Sequence, residues 1–306
     1  VAGGSERAAG RLTWWERLVN NEHVIGYTFV APLIFGLLIF TYGPVLAAFG
    51  LSFTKGDYIS TPKWIGLGNY QALLEDELFW KSLQNTLYYV AGVVPAGLIL
   101  SLLLALALNQ KLRGIVVFRS IFFLPSITSS VAISLMWLWI YNPEFGVLNF
   151  LLKQIGVKGP AWLSTTEWAM PAVMIMAVWR GLGYNMLIFL AGLQGIPEVY
   201  YEAAEMDGAG GWAKFRHITV PLLSPTTFML LILSLIGAFQ VFEYTYVMTD
   251  GGPLYSTLTL VLHVYNNAFR SFKMGYASAL AYVLFFILLA LTIVQFKFQE
   301  RWVHYE

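Results

Sequence analysis

The chain contains no cysteine, which excludes disulfides, thiolate metal sites and cysteine nucleophiles. It is also poor in charge. Only 11% of its 306 residues are Asp, Glu, Lys or Arg, against about 25% in ordinary soluble domains. So few charges cannot cover a soluble surface of this size, so the bulk solvent is expected to be lipid. Histidine is scarce as well: His23, His217, His263 and His304 are scattered without metal-ligand spacing. A net charge of +1 and the lack of any basic block leave no electrostatic footprint for nucleic acid. No G-x-x-x-x-G-K-[ST] occurs, so ATP is not expected to bind this chain through a P-loop. There is no triad and no pair of membrane carboxylates, so no catalytic residue is assigned and the chain is not expected to be an enzyme.

What remains is hydrophobic, 58% of the residues. A membrane span needs about 20 predominantly apolar residues, and six segments qualify: 24–51, 86–108, 118–141, 168–193, 222–248 and 276–296. No A-x-A cleavage site follows the first run, which is too long for a signal peptide and reads as a retained anchor. Lys and Arg in the loops set the orientation. With the N-terminus inside, the cytoplasmic side collects Arg7, Arg11, Arg17, Lys111, Arg113, Arg119, Lys214, Arg216, Lys297 and Arg301. The other side collects Lys55, Lys63, Lys81, Lys153, Lys158, Arg270 and Lys273. The bias favours both termini in the cytoplasm, as an even number of spans requires. The expected organisation is an all-α integral membrane protein: a cytoplasmic segment 1–23, a six-helix domain 24–296 and a cytoplasmic tail 297–306.

One polar stretch between spans four and five is too long and too ordered for a simple connection: "EAAEMDGAGGWAKFRHITVPLLSP" at 202–225. Pro197 can open a helix, with Glu198 in its first turn where the helix dipole favours negative charge. The pattern runs to Met206 and stops at Asp207–Gly208, a plausible left-handed cap. A second segment, 212–219, is expected to end before Pro221, which would open span five. On the first helix Glu198, Glu202 and Glu205 share one face by their spacing of four and three. Ala203 and Ala204 are small enough to let another surface approach the backbone. For the glutamates alone, a solvated acidic face is the simpler reading.

The whole string resembles the EAA loop of permease subunits in ATP-binding-cassette (ABC) importers. Glu202, Ala203, Ala204, Asp207, Gly208 and Ala209 form its core, and Phe215, Ile218 and Pro221 follow at the family's offsets. At usual residue frequencies that six-residue core arises roughly once in ten million windows. The resemblance extends over nearly the whole chain, through "GLGNY" at 66–70, Asn85–Thr86, "FRSIFFLP" at 118–125, "TDGGP" at 249–253 and "GYASAL" at 275–280. It is similar to carbohydrate-uptake permeases of the maltose and glycerol-phosphate branch. The resemblance implies that loop 195–221 is a cytoplasmic coupling helix docking on a separate ATPase subunit, with Glu202 paired to a basic group there. It implies a multi-pass protein of a prokaryotic inner membrane. Its partners would be a second permease, two ATPase subunits that hold the ATP and Mg, and an extracytoplasmic solute-binding protein. The chain itself would carry no cofactor and no metal.

Two ionisable residues interrupt the spans, Arg180 in the fourth and Glu243 in the fifth. Each would cost roughly 2.5–3.5 kcal/mol facing lipid at a span centre, so both should face protein or a watery cavity. An ion pair between them and a cavity-lining role are both open. Aligned without gaps through the EAA loop, the sugar contacts of the maltose branch fall on Arg180, Gly181, Tyr184, Ser234, Ala238 and Val241. Gly181, Tyr184 and Ser234 match in type. Where that branch has asparagines this chain has Ala238 and Val241, with Gln240 and Glu243 nearby, which argues against maltose itself. The rival readings are an ion-coupled secondary transporter, which would show inverted repeats and several midplane charges, and an ABC permease for a non-sugar solute.

Overall fold

In lipid, only a helix satisfies every backbone hydrogen bond within one segment, and the apolar runs are helical in the computed structural model. The structure describes residues 21–56, 61–110, 112–300 and 303. Arg7, Arg11, Arg17, Lys111 and Arg301 of the charge argument lie outside these, as do His304 and most of the segments proposed at the two ends.

Contacts divide the chain into two units, Val1–Leu51 and Ser52–Glu306. The first contributes the helical run α1, Glu22–Ser52, capped by the Asn21 side chain, which accepts from the His23 N–H at 3.0 Å. The second opens with a short antiparallel ribbon, β1 (Thr54–Lys55) and β2 (Lys63–Trp64). Then come α2 (Gly68–Glu75), α3 (Glu77–Leu108), α4 (Ile115–Ile127), α5 (Ser130–Ile140), α6 (Val147–Gln154) and α7 (Ala169–Gly195). The polar stretch carries α8 (Glu198–Met206) and α9 (Gly211–Lys214). After it come α10 (Ser224–Phe239), α11 (Glu243–Met248), α12 (Leu260–Tyr265) and α13 (Met274–Gln299).

Five runs are each long and apolar enough to cross a membrane: α1, α3, α7, Ser224–Met248 and α13. The expected third span differs. It is α4 and α5 together, bent by 100°. The sequence there is "PSITSS", and its hydroxyls compete with the helix backbone. Ser126 Oγ donates to Phe123 O at 2.7 Å and Thr128 Oγ1 to Leu124 O at 2.9 Å. Pro125 adds a missing N–H, and Thr128 is already extended (φ −76°, ψ 148°). Span five is also interrupted, between Phe239 and Glu243.

Side chains from α3, α5, α7, α10, α11 and α13 build the larger core around Tyr89, Val173, Met176, Phe239 and Leu280. A second core forms where α3, α7 and α10 converge near the loop, around Met186, Phe189, Leu193, Leu223 and Leu230. Small residues bring the helices close. A Cβ on Gly183 would lie 2.1 Å from the Phe122 carbonyl oxygen, so α4 and α7 meet backbone to backbone there. At the end of the bundle away from the loop, the family-like motif residues act as anchors. Asn69 Nδ2 donates to the carbonyls of Ser52 and Thr54, both at 2.8 Å. Asn85 Nδ2 donates to those of Tyr255 and Leu258 at 2.7 and 2.9 Å, and Thr86 Oγ1 accepts the Leu260 N–H at 3.0 Å.

Asp76, which caps α3 by accepting the Leu78 N–H at 2.8 Å, joins three elements at this end. Its other oxygen accepts from the Tyr276 hydroxyl and lies 3.3 Å from His263 Nε2. Burial pushes the Asp76 carboxyl up, but its hydrogen bonds from Tyr276 and Leu78 and the charge of His263 outweigh that and hold it below the usual range. Burial pushes His263 down, and Asp76 only partly offsets it. Both folded-state values are depressed, so both groups stabilise the fold at high pH. The histidine contribution is lost as pH falls below about 6.5, where the unfolded imidazole takes a proton first, and the carboxylate contribution below about 3.9. Thermal unfolding in detergent should therefore show a melting temperature that falls between pH 7 and pH 5. His263→Gln should flatten that slope.

Candidate functional site: a loop helix and a cavity

The polar stretch folds as a helical hairpin beneath the second core. Pro197 is the residue before α8 (φ −60°, ψ 131°), and Glu198 occupies the first turn. Asp207 closes the helix and Gly208 takes φ +75°. The Gly208 N–H donates to Glu205 O at 3.0 Å and the Ala209 N–H to Ala204 O at 2.8 Å, the paired bonds of a Schellman cap. Glu198, Glu202, Ala203, Asp207 and Gly208 are exposed, as are Val199, Tyr200 and Met206. Ala204 and Tyr201 are half-buried, with Tyr201 packed on the second core. The helix thus presents an acidic face with an apolar rim away from the chain.

Two features differ from the sequence reading. The segment expected to end before Pro221 runs on: α9 passes through a π turn at Phe215–Thr219 and a short helix at Val220–Leu222 to the start of α10. Glu205 is not an unpaired member of the acidic face. Its carboxylate meets Lys214 Nζ at 2.5 Å, and that hydrogen bond, with the lysine charge, holds the carboxyl below its ordinary range.

The cap makes a direct prediction. At φ +75° a Cβ costs about 1–2 kcal/mol in backbone strain, most for a β-branched residue, and nothing lies within 4 Å of that position to add a clash. If the loop couples transport to ATP hydrolysis, as the resemblance implies, Gly208→Val should weaken that coupling more than Gly208→Ala. Equal behaviour of the two variants in a stimulated-hydrolysis assay would contradict the cap's role.

The second feature is a cavity of about 220 Å³ between α3, α7 and α10, with Gly181, Asn185, Ser234, Ala238, Tyr89 and Tyr244 in its wall. Three of the residues expected on a solute path, Gly181, Ser234 and Ala238, meet here. A Cβ on Gly181 would touch nothing within 4 Å, so the backbone faces open space. The other five lie elsewhere. Tyr184 is exposed outside this wall, Gln240 is exposed at the break in span five, and the Val241 side chain is buried in the larger core. Asn185, Tyr89 and Tyr244 were not singled out from the sequence. The amide of Asn185 within an apolar helix was a usable signal; the two tyrosines gave none.

Among the described residues no ion pair joins Arg180 to Glu243. Both hold the bend in span three. Arg180 Nη2 donates to Thr128 O at 3.1 Å, an orphan carbonyl of the bend, and Nη1 donates to the Tyr244 hydroxyl at 2.9 Å. Glu243 accepts from Ser130 Oγ at the start of α5. Tyr244 thus links the cation to the cavity wall. The wall offers hydroxyl, amide and aromatic faces. Among the described residues, no group of three or more His, Asp or Glu could hold a metal.

The family described as the binding-protein-dependent transport system inner membrane component matches residues 94–303. The chain belongs to that family. It is 41% identical over 295 residues, 95% of each chain, to the probable ABC transporter permease protein YesP of Bacillus subtilis. It is 38% identical over 279 residues to the lactose transport system permease protein LacF of Rhizobium radiobacter, covering 89% of this chain and 93% of that one. Among solved structures it is similar to a bacterial ABC transporter involved in the import of the acidic polysaccharide alginate. There the TM-score is 0.82 at 25% identity, over 94% of this chain and 98% of that one. Membership gives the long apolar helices their setting, the inner-membrane component of a transport system.

Proposed function

We propose that this permease forms half of the membrane path for a sugar or related carbohydrate and couples that path to ATP hydrolysis in separate subunits. The observation that carries the reading is mechanical continuity. The exposed acidic helix α8 is rooted, through α9 and the π turn, on the same run that continues as α10 and supplies Ser234 and Ala238 to the cavity. Movement of the loop therefore reaches the cavity wall along one element. The carbohydrate assignment draws on the cavity's mix of hydroxyl, amide and aromatic faces, which suits a polyol with apolar ring planes, and on the solutes named for LacF and the alginate importer.

The energy source lies outside the chain in this reading. ATP and Mg belong to two ATPase subunits docked on α8, a second permease completes the path, and a solute-binding protein delivers the sugar on the far side. Both termini face the cytoplasm with the loop. The test is assembly and stimulation. The permease pair co-expressed with its ATPase should purify as one complex, whose ATP hydrolysis rises when binding protein loaded with lactose, or with the oligosaccharide it retains from a panel, is added. A permease pair that purifies free of ATPase, or a complex indifferent to loaded binding protein, would contradict the proposal.

A further inference from the structure

We infer that Tyr201, Glu205, Lys214 and Thr219 are positioning residues that lock α8 to the root of span five as one lever, so that Glu205 serves this internal lock and not the docked ATPase. The inference rests on the coupling role proposed above and adds to it a division of labour among the three glutamates.

The turn between α8 and α9 is Asp207-Gly208-Ala209-Gly210, followed by Gly211. Glycine backbones pivot readily, so a helix pushed from outside would swing on this turn instead of transmitting its motion. Two side-chain contacts cross the hairpin at different levels. Near the turn, Lys214 Nζ meets Glu205 Oε1 at 2.5 Å. One helical turn farther along α8, the Tyr201 hydroxyl lies 3.0 Å from Thr219 Oγ1. One contact would leave a hinge; two set the angle between the elements. Thr219 is buried and Lys214 half-buried, while Glu205 is exposed, so the inner contact is shielded and the ion pair near the turn is open to water.

The backbone is shaped for this lock. Tyr201 and Glu205 are four apart, so they share one stripe of α8. Their partners, Lys214 and Thr219, are five apart. In a regular α-helix five residues advance to about 140° away from the starting face. The π turn removes that mismatch: the Val220 N–H bonds back to Phe215 O, and i-to-i+5 bonding brings residues five apart toward one side. Pro221, which has no N–H to offer, follows directly. The irregular turn therefore lets both partners face α8.

The test is a charge swap in the complete complex, read as solute-stimulated over basal ATP hydrolysis. Glu205→Lys and Lys214→Glu should each lower that ratio by about five-fold, the scale of a contacting-pair coupling, while ATPase subunits still co-purify at wild-type stoichiometry. The double variant Glu205→Lys/Lys214→Glu should recover most of the loss. Thr219→Val should lower the ratio without loss of co-purification. If either charge variant elutes poorly, Glu205→Gln with Lys214→Gln gives the same comparison without like charges. A double swap no better than Glu205→Lys alone, or loss of ATPase from Glu205→Lys that the swap does not restore, overturns the lock. Glu202→Lys in the same preparation tests the underlying coupling role separately. Full stimulation in that variant overturns the coupling reading, whereas its loss alongside a failed swap overturns only the lock.

Discussion

Glu202→Lys should abolish solute-stimulated ATP hydrolysis and uptake while leaving membrane insertion and folding intact. Glu202 is exposed on the outward face of α8 and makes no hydrogen bond or ion pair with any described residue, so its charge is free for a partner. Reversal therefore removes no hydrogen bond or ion pair to any described residue. A basic group on the facing subunit would meet like charge, and such a juxtaposition costs several kcal/mol, enough to reduce a coupled rate by more than about 100-fold at 1.4 kcal/mol per decade. Yield in membranes and a monodisperse permease pair serve as controls. Glu202→Gln should show a smaller loss, since it removes attraction without adding repulsion. Normal stimulation in Glu202→Lys would place the docking surface elsewhere.

Gly181→Leu should stop uptake without destabilising the permease. The Gly181 Cα faces open space within the cavity of about 220 Å³, so a leucine side chain would fill the room proposed for the sugar. Replacing a mid-helix glycine also gains roughly 0.8–1.0 kcal/mol of helix propensity, so the melting temperature in detergent should hold or rise as transport falls. That combination separates blockage from misfolding. Asn185→Ala removes a polar group from the same wall and should slow transport. Tyr184→Ala, outside the wall, should matter less, and Leu187→Ala controls for general loosening of α7. Because the binding protein meets the sugar first, its affinity should be unchanged in every variant. Uptake at the wild-type rate in Gly181→Leu would mean that solute passes by another route.

Much of this architecture was legible in the chain. Hydropathy marks the apolar runs because lipid tolerates little else over that length, and Gly208 marks its own turn because few other residues take φ +75° without strain. Hydropathy does not report hydrogen bonds, so the bend at Thr128 passed as part of a straight span. Its signal was the hydroxyl run "SITSS" after Pro125, which composition alone reads as mildly polar. Pairing across the loop was not legible either. Spacing puts Glu205 with Glu198 and Glu202, and only the folded hairpin with its π turn brings Lys214 to it. Likewise Gly181, Tyr184 and Asn185 lie within about 100° of helix surface, and which of them meets a cavity depends on where α3 and α10 stand. Arg180 and Glu243 were expected to face protein or a watery cavity: Arg180 is half-buried and bonded to Tyr244 and Thr128, whereas Glu243 is exposed and bonded to Ser130. The bend they brace in span three could not be foreseen from them.

The most direct measurement is accumulation of labelled saccharide in proteoliposomes that hold the permease pair and its ATPase, with loaded binding protein on the opposite side. The account predicts accumulation that requires ATP on the loop side and loaded binding protein on the other, and that disappears with Glu202→Lys. Accumulation driven by a proton or sodium gradient in the absence of ATP, and unaffected by Glu202→Lys, would contradict it.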